Sequence, residues 1–506
     1  MFEATRPFLF FDYMRVPYRV VASADVLIDG ISARHPLRAC GQLRWQNTNV
    51  LAPELYWLPV ESDGTTPAGQ LPLSSYRVDT TPLFGRVLPE ATCGEWLAAT
   101  GRTWIPVTPI FDARGQRVSA IWRDARGSIF LPFDPADVMQ TFWSESYQTA
   151  ATSSLTRRLK KLALRSYYRA RPLGPRATQI RLRQVLSRVQ TRAHFPRWPV
   201  EPALHELYAR LLGYVGELAP MPVPWIAPWP DQYEWAIVLT HDVEKAIGYE
   251  NVPLLRGVEE RAGYRSSWNF VPRRDYEVDA TVVNDLTAHA FEVGVHGLFH
   301  DGRDLESLQT LGERLPAIRD YARRWNAVGF RSPATHRVWD WMPLLGFDYD
   351  TSYPDTDPYE PISGGCCTWL PFFNRDMVEL PITLPQDHTL FAILEQVDES
   401  TWVEKTDYLR GPSGMALLIT HPDYMLEQSR LDAYGRFLNR YADDPSVWRA
   451  LPREVSDWWR RRAASTPEEV NGDWRVVGPA AADARLRFTR PGRPATPTAH
   501  RDVTAA

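Results

Sequence analysis

The sequence predicts an α/β protein built around a parallel, barrel-forming sheet, and three observations carry that expectation. The apolar run Ala236, Ile237, Val238 and Leu239 reads as a buried strand and ends in Thr240-His241-Asp242-Val243-Glu244. Three later segments end in the same manner. Gly329-Phe330 closes in Arg331-Ser332-Pro333, Tyr349 in Asp350-Thr351-Ser352, and Leu417-Leu418-Ile419 in Thr420-His421-Pro422. Stretches with helical spacing, 282–289 and 305–325, lie between them. Strands alternating with helices imply a parallel sheet, and polar groups at successive strand ends imply one functional mouth.

The chain divides into four parts. Residues 1–145 are expected to form a mixed α/β domain, in which the apolar runs at 8–11, 19–21, 56–60 and 129–131 read as short strands and Asp63-Gly64 and Ala113-Arg114-Gly115 as turns. It offers no catalytic constellation; Asp12, His35 and Asp134 are isolated polar groups for which capping or salt bridging is expected. Residues 146–230 read as a basic helical connector. Between 151 and 200 there are thirteen Lys or Arg and no Asp or Glu, and Leu182, Val185, Leu186 and Val189 recur at helical spacing after Pro172 and Pro175. A second helix carrying Leu204, Leu207, Leu211, Leu212 and Val215 leads into a Pro/Trp-rich linker at 221–230. The barrel is expected over 231–462. In 463–506 two small strands, near 474–478 and 485–489, precede a Pro/Ala/Thr-rich disordered tail from 491.

Composition narrows the partners. At 506 residues, with 44% hydrophobic and 23% charged residues, the chain reads as a soluble multidomain protein. A net charge of −4 implies no global polyanion or polycation partner. The four cysteines, Cys40, Cys93 and the adjacent Cys366-Cys367, lack metal-ligand spacing and read as reduced structural thiols. The apolar patch at 8–11 is broken by Asp12 and Arg15, too soon for a signal peptide, and no run approaches the roughly 18 apolar residues of a membrane span, so a cytoplasmic location is expected. The basic stretch could contact an anionic membrane or a lipid-linked or phosphorylated substrate. A connector packed on acidic neighbours is favoured, because aromatic anchors are sparse in the helix. Nucleic acid is not expected, for want of a recognition motif. Of the 20 Trp, those at Trp268, Trp339, Trp341, Trp369 and Trp402 fall in the barrel; core packing is expected, and none is assigned to substrate.

The densest chemistry is His296-Gly-Leu-Phe-His300. Histidines at i and i+4 point the same way from one helical turn and can reach a single ion. The spacing alone is weak, since two surface histidines would look the same, and the carboxylates of Asp242 and Glu244 strengthen it. A catalytic zinc takes three protein ligands and leaves a position for water, so one of these carboxylates would be the third ligand. Residues two apart on extended backbone share a face, so one can bind metal while the other works beside it.

Taken in order, the strand end at 240–244, the H-x-x-x-H pair, Arg331-Ser332-Pro333, the Asp350 segment and the Leu417–His421 end resemble the polysaccharide deacetylase family. This is the NodB-homology, or carbohydrate esterase family 4, group, and the resemblance spans roughly residues 231–460. It implies a distorted (β/α) barrel of NodB type and a metal-dependent hydrolase removing an N-acetyl group from an amino sugar or other glycan-type substrate. It implies a divalent metal, zinc first with Co, Mn or Ni as substitutes, held by Glu244, His296 and His300. It makes Asp242 the general base, pairs Arg331 with Asp242, gives His421 the proton for the leaving amine and sets Asp350 to orient His421. One departure stands out: the family has adjacent aspartates, whereas here the second carboxylate of Asp242-Val243-Glu244 comes one place later. The exchange of base and ligand stays open, as does an intrusion by His241.

Around this set, Arg331 could be an ordinary surface ion pair and Asp350 a turn cap. Asp355 and Asp357 could line the same mouth, His388 could approach from its loop, and Asp301-Gly302 reads as a turn. Backbone N–H groups around 332–334 are expected oxyanion donors. Two other functions fit: hydrolysis of a non-sugar or cyclic amide, since fold does not fix substrate, and a non-catalytic glycan-binding or assembly role.

Overall fold

The computed structural model describes residues 1–22, 35–46, 52–60, 67–151, 181, 184, 195–360 and 362–489. The basic stretch between 152 and 194, apart from Arg181 and Gln184, lies outside them, as do the Asp63-Gly64 turn and the tail from 491. Two compact units divide the chain: Met1–Ser154 with Pro202–Ala227 and Arg462–Ala506, and Leu155–Glu201 with Pro228–Arg461. Among the described residues, no helix is long and apolar enough to cross a membrane.

The first unit is a nine-stranded, mostly antiparallel sheet. Residues 8–11, expected as a strand, instead enter the helix Leu9–Met14. Phe8, Phe10, Phe11, Tyr13 and Met14 are all buried, and an apolar run without periodicity does not distinguish strand from helix. The isolated polar groups act locally. Asp134 caps the helix Pro135–Trp143 by accepting from the Ala136 N–H, His35 Nδ1 accepts from the Leu37 N–H, and Asp12 accepts from the Tyr18 hydroxyl. The helix Ala203–Leu218 packs in this unit, with Thr81 donating to Glu206 at 2.6 Å. Leu486–Phe488 pairs with Pro224–Ile226, and Asp473–Val477 with Thr466–Val470. All four cysteines are buried thiols.

The second unit carries the expected alternation. Its strands are β1 (Trp235–Val243), β2 (Ser267–Phe270), β3 (Glu292–His296), β4 (Gly329–Arg331), β5 (Tyr349–Asp350), β6 (Phe372–Asn374), β7 (Met377–Glu379), β8 (Met415–Thr420) and β9 (Val447–Ala450). The order is β6-β7-β5-β4-β3-β2-β1-β8, with β9 beside the first half of β1; every pair is parallel except β6 with β7. Helices Val252–Arg261, Ala280–Ala288 and Leu308–Trp325 fall between successive strands. Every residue of β1 is buried, as a parallel strand covered on both faces requires.

The ladder itself does not close, and the chain after β7 bridges its ends. The Leu380 N–H donates to Asp350 O and the Ile382 N–H to Tyr353 O, while the N–H groups of Thr383 and Leu384 both donate to Leu417 O in β8. Register then aligns the polar ends: Asp242 lies opposite Asn269, Asn269 opposite Gly294, His296 opposite Arg331, and Phe330 opposite Asp350. One mouth results.

Candidate metal centre and active site

Alternation along β1 sorts its polar residues. Thr240, Asp242 and Glu244 take one side and His241 the other. His241 stacks on Trp268 at 4.0 Å, its Nε2 meets Glu259 on the Val252–Arg261 helix at 2.7 Å, and its Nδ1 meets the Thr420 hydroxyl at 2.8 Å. It therefore turns away from the mouth, and its intrusion is ruled out.

The two histidines do not share a helical turn, contrary to the expectation from their spacing. His296 is the last residue of β3, and the chain then turns at Gly297, with φ +63°. A Cβ at Gly297 would stand 2.4 Å from Asp304 Oδ2 and 2.5 Å from Pro333, so a side chain is excluded there on steric as well as conformational grounds. Asp304 accepts from the Leu298 N–H at 3.1 Å, and His300 itself has φ +54°. This tight loop brings the two rings to 5.0 Å and places His300 Nε2 3.0 Å from Glu244 Oε1.

The trio suits a divalent ion. One ligand atom from each of Glu244, His296 and His300 lies within 4.8 Å of the others. His296 Nδ1 is 3.1 Å from Arg331 O, so the network assigns the proton to Nδ1 and leaves Nε2 as the lone-pair donor. Burial pulls His296 down to about 4, which keeps it neutral, as ligation requires. The buried His300 Nε2 makes no hydrogen bond among the described residues, although Glu244 Oε1 lies 3.0 Å from it. An orphaned imidazole nitrogen facing a carboxylate oxygen, with a second imidazole beside them, matches the donor set of a catalytic zinc.

Asp242 is held charged. Its Oδ2 lies 3.8 Å from His296 Nε2, Arg331 reaches it at 3.2 Å, and Asn269 Nδ2 donates to Oδ1 at 3.0 Å. Gly294 makes that last contact possible, because a Cβ there would fall 2.1 Å from Asn269 Oδ1. Burial alone would raise the Asp242 carboxyl, but Arg331, His296, His421 and the Asn269 bond together hold it at about 2. Arg331 is fully buried and also donates to the hydroxyls of Thr351 at 2.7 Å and Thr240 at 3.0 Å, so it is no surface ion pair. Arg331→Met is therefore expected to cost about 3–5 kcal/mol of stability, because it strands a buried carboxylate. Denaturant unfolding measures this, and a loss below about 1 kcal/mol, the scale of an exposed pair, would contradict the assignment.

His421 follows β8, and its orienting partner corrects the sequence expectation. Asp387, not Asp350, holds it: Asp387 Oδ1 meets His421 Nδ1 at 2.6 Å, and Oδ2 accepts the His421 N–H at 2.8 Å. Burial would lower His421, yet the bonded Asp387 carboxylate, with Glu244 and Asp242, lifts it to about 10. Its Nε2 lies 3.9 Å from Glu244 Oε1. Asp350 is buried elsewhere. It accepts from the backbone and hydroxyl of Ser352 and meets Glu379 across β5 and β7, and burial raises both carboxyls. The Ser352 hydroxyl in turn accepts the Ser332 N–H at 2.8 Å, so Asp350 braces the 332 loop. That bond commits the Ser332 N–H, and Pro333 has no N–H, so Ser332 and Pro333 drop out of the expected oxyanion stretch.

The remaining acidic candidates are committed to other partners, whereas His388 lies one ring from His421 and Glu244. Asp355 pairs with the buried Lys405 at 2.8 Å, and Asp357 accepts the Tyr359 N–H in a turn. Asp301 accepts the Arg303 N–H and pairs with Arg314, the expected turn. His388 packs against Tyr424 with ring centres 5.0 Å apart.

No family model and no curated protein matches the chain. Solved structures do. A Mycobacterium smegmatis protein assigned as a polysaccharide deacetylase shares 18% identity over 46% of this chain and 92% of its own, with a TM-score of 0.39. PuuE allantoinase shares 15% over 53% and 98%, with a TM-score of 0.37. A family 4 carbohydrate esterase from Streptomyces lividans, in complex with acetate, shares 10% over 42% and 90%, with a TM-score of 0.28. Polysaccharide deacetylases are among the solved structures this chain is similar to.

Sequence reasoning missed Asn269, Asp387 and Tyr424. Asp387 adjoins the candidate His388, and Tyr424 lies three residues beyond His421. Asn269 carried no signal, because its role arises only from its place opposite Asp242 in the ladder.

Proposed function

We propose that this protein is a metal-dependent amide hydrolase that removes an N-acyl group, acetyl first, from an amino sugar or sugar conjugate. The observation that carries the proposal is the pairing of a carboxylate held ionised with an imidazole held protonated, both beside the trio Glu244, His296 and His300. Asp242 at about 2 and His421 at about 10 are in opposite protonation states at neutral pH, the division that general base and general acid require. A divalent ion in the trio, zinc first, would polarise the acyl carbonyl and lower the pKa of water from about 15.7 toward about 7.

In this reading Asp242 takes the proton of the attacking water, and Arg331 and Asn269 hold its carboxylate in place meanwhile. The carbonyl carbon becomes tetrahedral as the water oxygen adds to it. His421 then gives its Nε2 proton to the leaving nitrogen as the C–N bond breaks, and Asp387 fixes the Nδ1 side of the ring. The products are the free amine and the carboxylate.

The test is a substrate screen of the metal-replete protein. Acetate release from N-acetylated amino sugars is measured against ring opening of cyclic ureides and imides, which the same groups could also hydrolyse. Sugar deacetylation as the faster reaction is expected. Ring opening alone would move the assignment to cyclic amides, and glycan binding without any amide turnover would overturn catalysis.

A further inference from the structure

Glu244 lies one residue beyond β1, so the ladder does not hold it. Three contacts do. Its N–H donates to Asp423 Oδ2 at 2.9 Å, its carbonyl accepts from Arg274 Nε at 3.0 Å, and its Oε2 accepts from the Tyr424 hydroxyl at 2.8 Å. Two of these come from adjacent residues of the turn that follows His421. We propose that Asp423 and Tyr424 form a positioning pair that presents a single Glu244 oxygen to the metal. The inference rests on Glu244 being a ligand, as read above.

The geometry supports a fixed grip. The Tyr424 ring is wedged 5.2 Å from His421 and 5.0 Å from His388, and Arg430 donates to its carbonyl at 2.9 Å, so the hydroxyl is aimed by packing on several sides. With Oε2 engaged by Tyr424, Oε1 is the oxygen left facing His300 Nε2. Asp423 reaches Glu244 only because residue 248 is glycine; a Cβ there would stand 2.3 Å from Asp423 Oδ2. The pair thus accounts for how a carboxylate displaced by one position along the chain still meets both histidines. Partners that orient a ligand in this way are worth about 10–100-fold in metal affinity.

Zn²⁺ affinity of the full-length chain is measured by competition with a chromogenic chelator, for wild type, Tyr424→Phe, Asp423→Ala, Asp423→Asn and Glu244→Ala. Tyr424→Phe is expected to bind Zn²⁺ about 10–100-fold more weakly with the unfolding of the metal-free protein unchanged. Asp423→Ala should weaken binding as well, and Asp423→Asn, which keeps an oxygen to accept the Glu244 N–H, should restore most of it. Unchanged affinity in both Tyr424→Phe and Asp423→Ala, while Glu244→Ala loses Zn²⁺, would overturn the positioning pair and leave the metal centre standing. Retention of Zn²⁺ by Glu244→Ala would overturn the ligand assignment itself.

Discussion

His296→Ala and His300→Ala are each expected to reduce bound metal to background and, with it, amide turnover. Either change leaves one imidazole and one carboxylate, fewer than the three protein ligands of a catalytic site. The loss is not readily made good by a neighbour. His421 is held protonated by Asp387, so its Nε2 has no lone pair to offer, and His241 lies on the far face of β1 against Glu259. Stability offers a second readout. A ligand that binds only the folded state adds about 2.7 kcal/mol at a hundred times its dissociation constant, so zinc should raise the unfolding temperature of wild type and leave both variants unmoved. Metal content by elemental analysis decides the matter. Wild-type content in both variants would remove the site from these residues altogether.

Which parts of this centre could be read from the chain follows from what each residue depends on. Asp242, Arg331 and His421 end apolar strands of a parallel sheet, and the mouth of such a sheet gathers strand ends whatever the loops do. Their order along the chain was therefore sufficient. The histidine pair was legible in its chemistry but not in its geometry. Spacing of four suggests a helical turn, whereas Gly297 at positive φ makes a tight loop that brings the rings together by another route. Asp350 and Asp387 show the limit. Both are buried carboxyls beside short polar runs of Thr, Ser or His, yet only Asp387 reaches His421. It does so from an irregular segment 34 residues earlier, placed by the bridge that joins the ends of the sheet. Neither periodicity nor spacing encodes such a contact. The same holds for the helix at Leu9–Met14, where burial of an aromatic run decided the backbone and alternation gave no guide.

Asp242→Asn and Glu244→Ala should fail in opposite ways. Asp242→Asn is nearly the same size, and its metal-side neighbour His296 Nε2 stands 3.8 Å away, so the trio keeps its ligands and metal content should be unchanged. The variant has lost the charge that accepts a proton, and a fall of at least about 10²-fold in kcat is expected, the scale of general base catalysis. Arg331 then remains buried without its counter-charge, so part of any stability loss belongs to that residue, and kcat must be compared on folded, metal-replete protein. Glu244→Ala removes the oxygen that His300 Nε2 faces at 3.0 Å and should lose the metal first, with turnover falling as a consequence. Excess Zn²⁺ discriminates the two: it should recover part of the Glu244→Ala activity by mass action and none of the Asp242→Asn activity. The converse, a metal-free Asp242→Asn beside a metal-bound but slow Glu244→Ala, would mean that ligand and base are exchanged. The sequence left that exchange open; the proposed division rests on Glu244 Oε1 lying 3.0 Å from His300 Nε2, whereas Asp242 Oδ2 lies 3.8 Å from His296 Nε2 and accepts from Arg331.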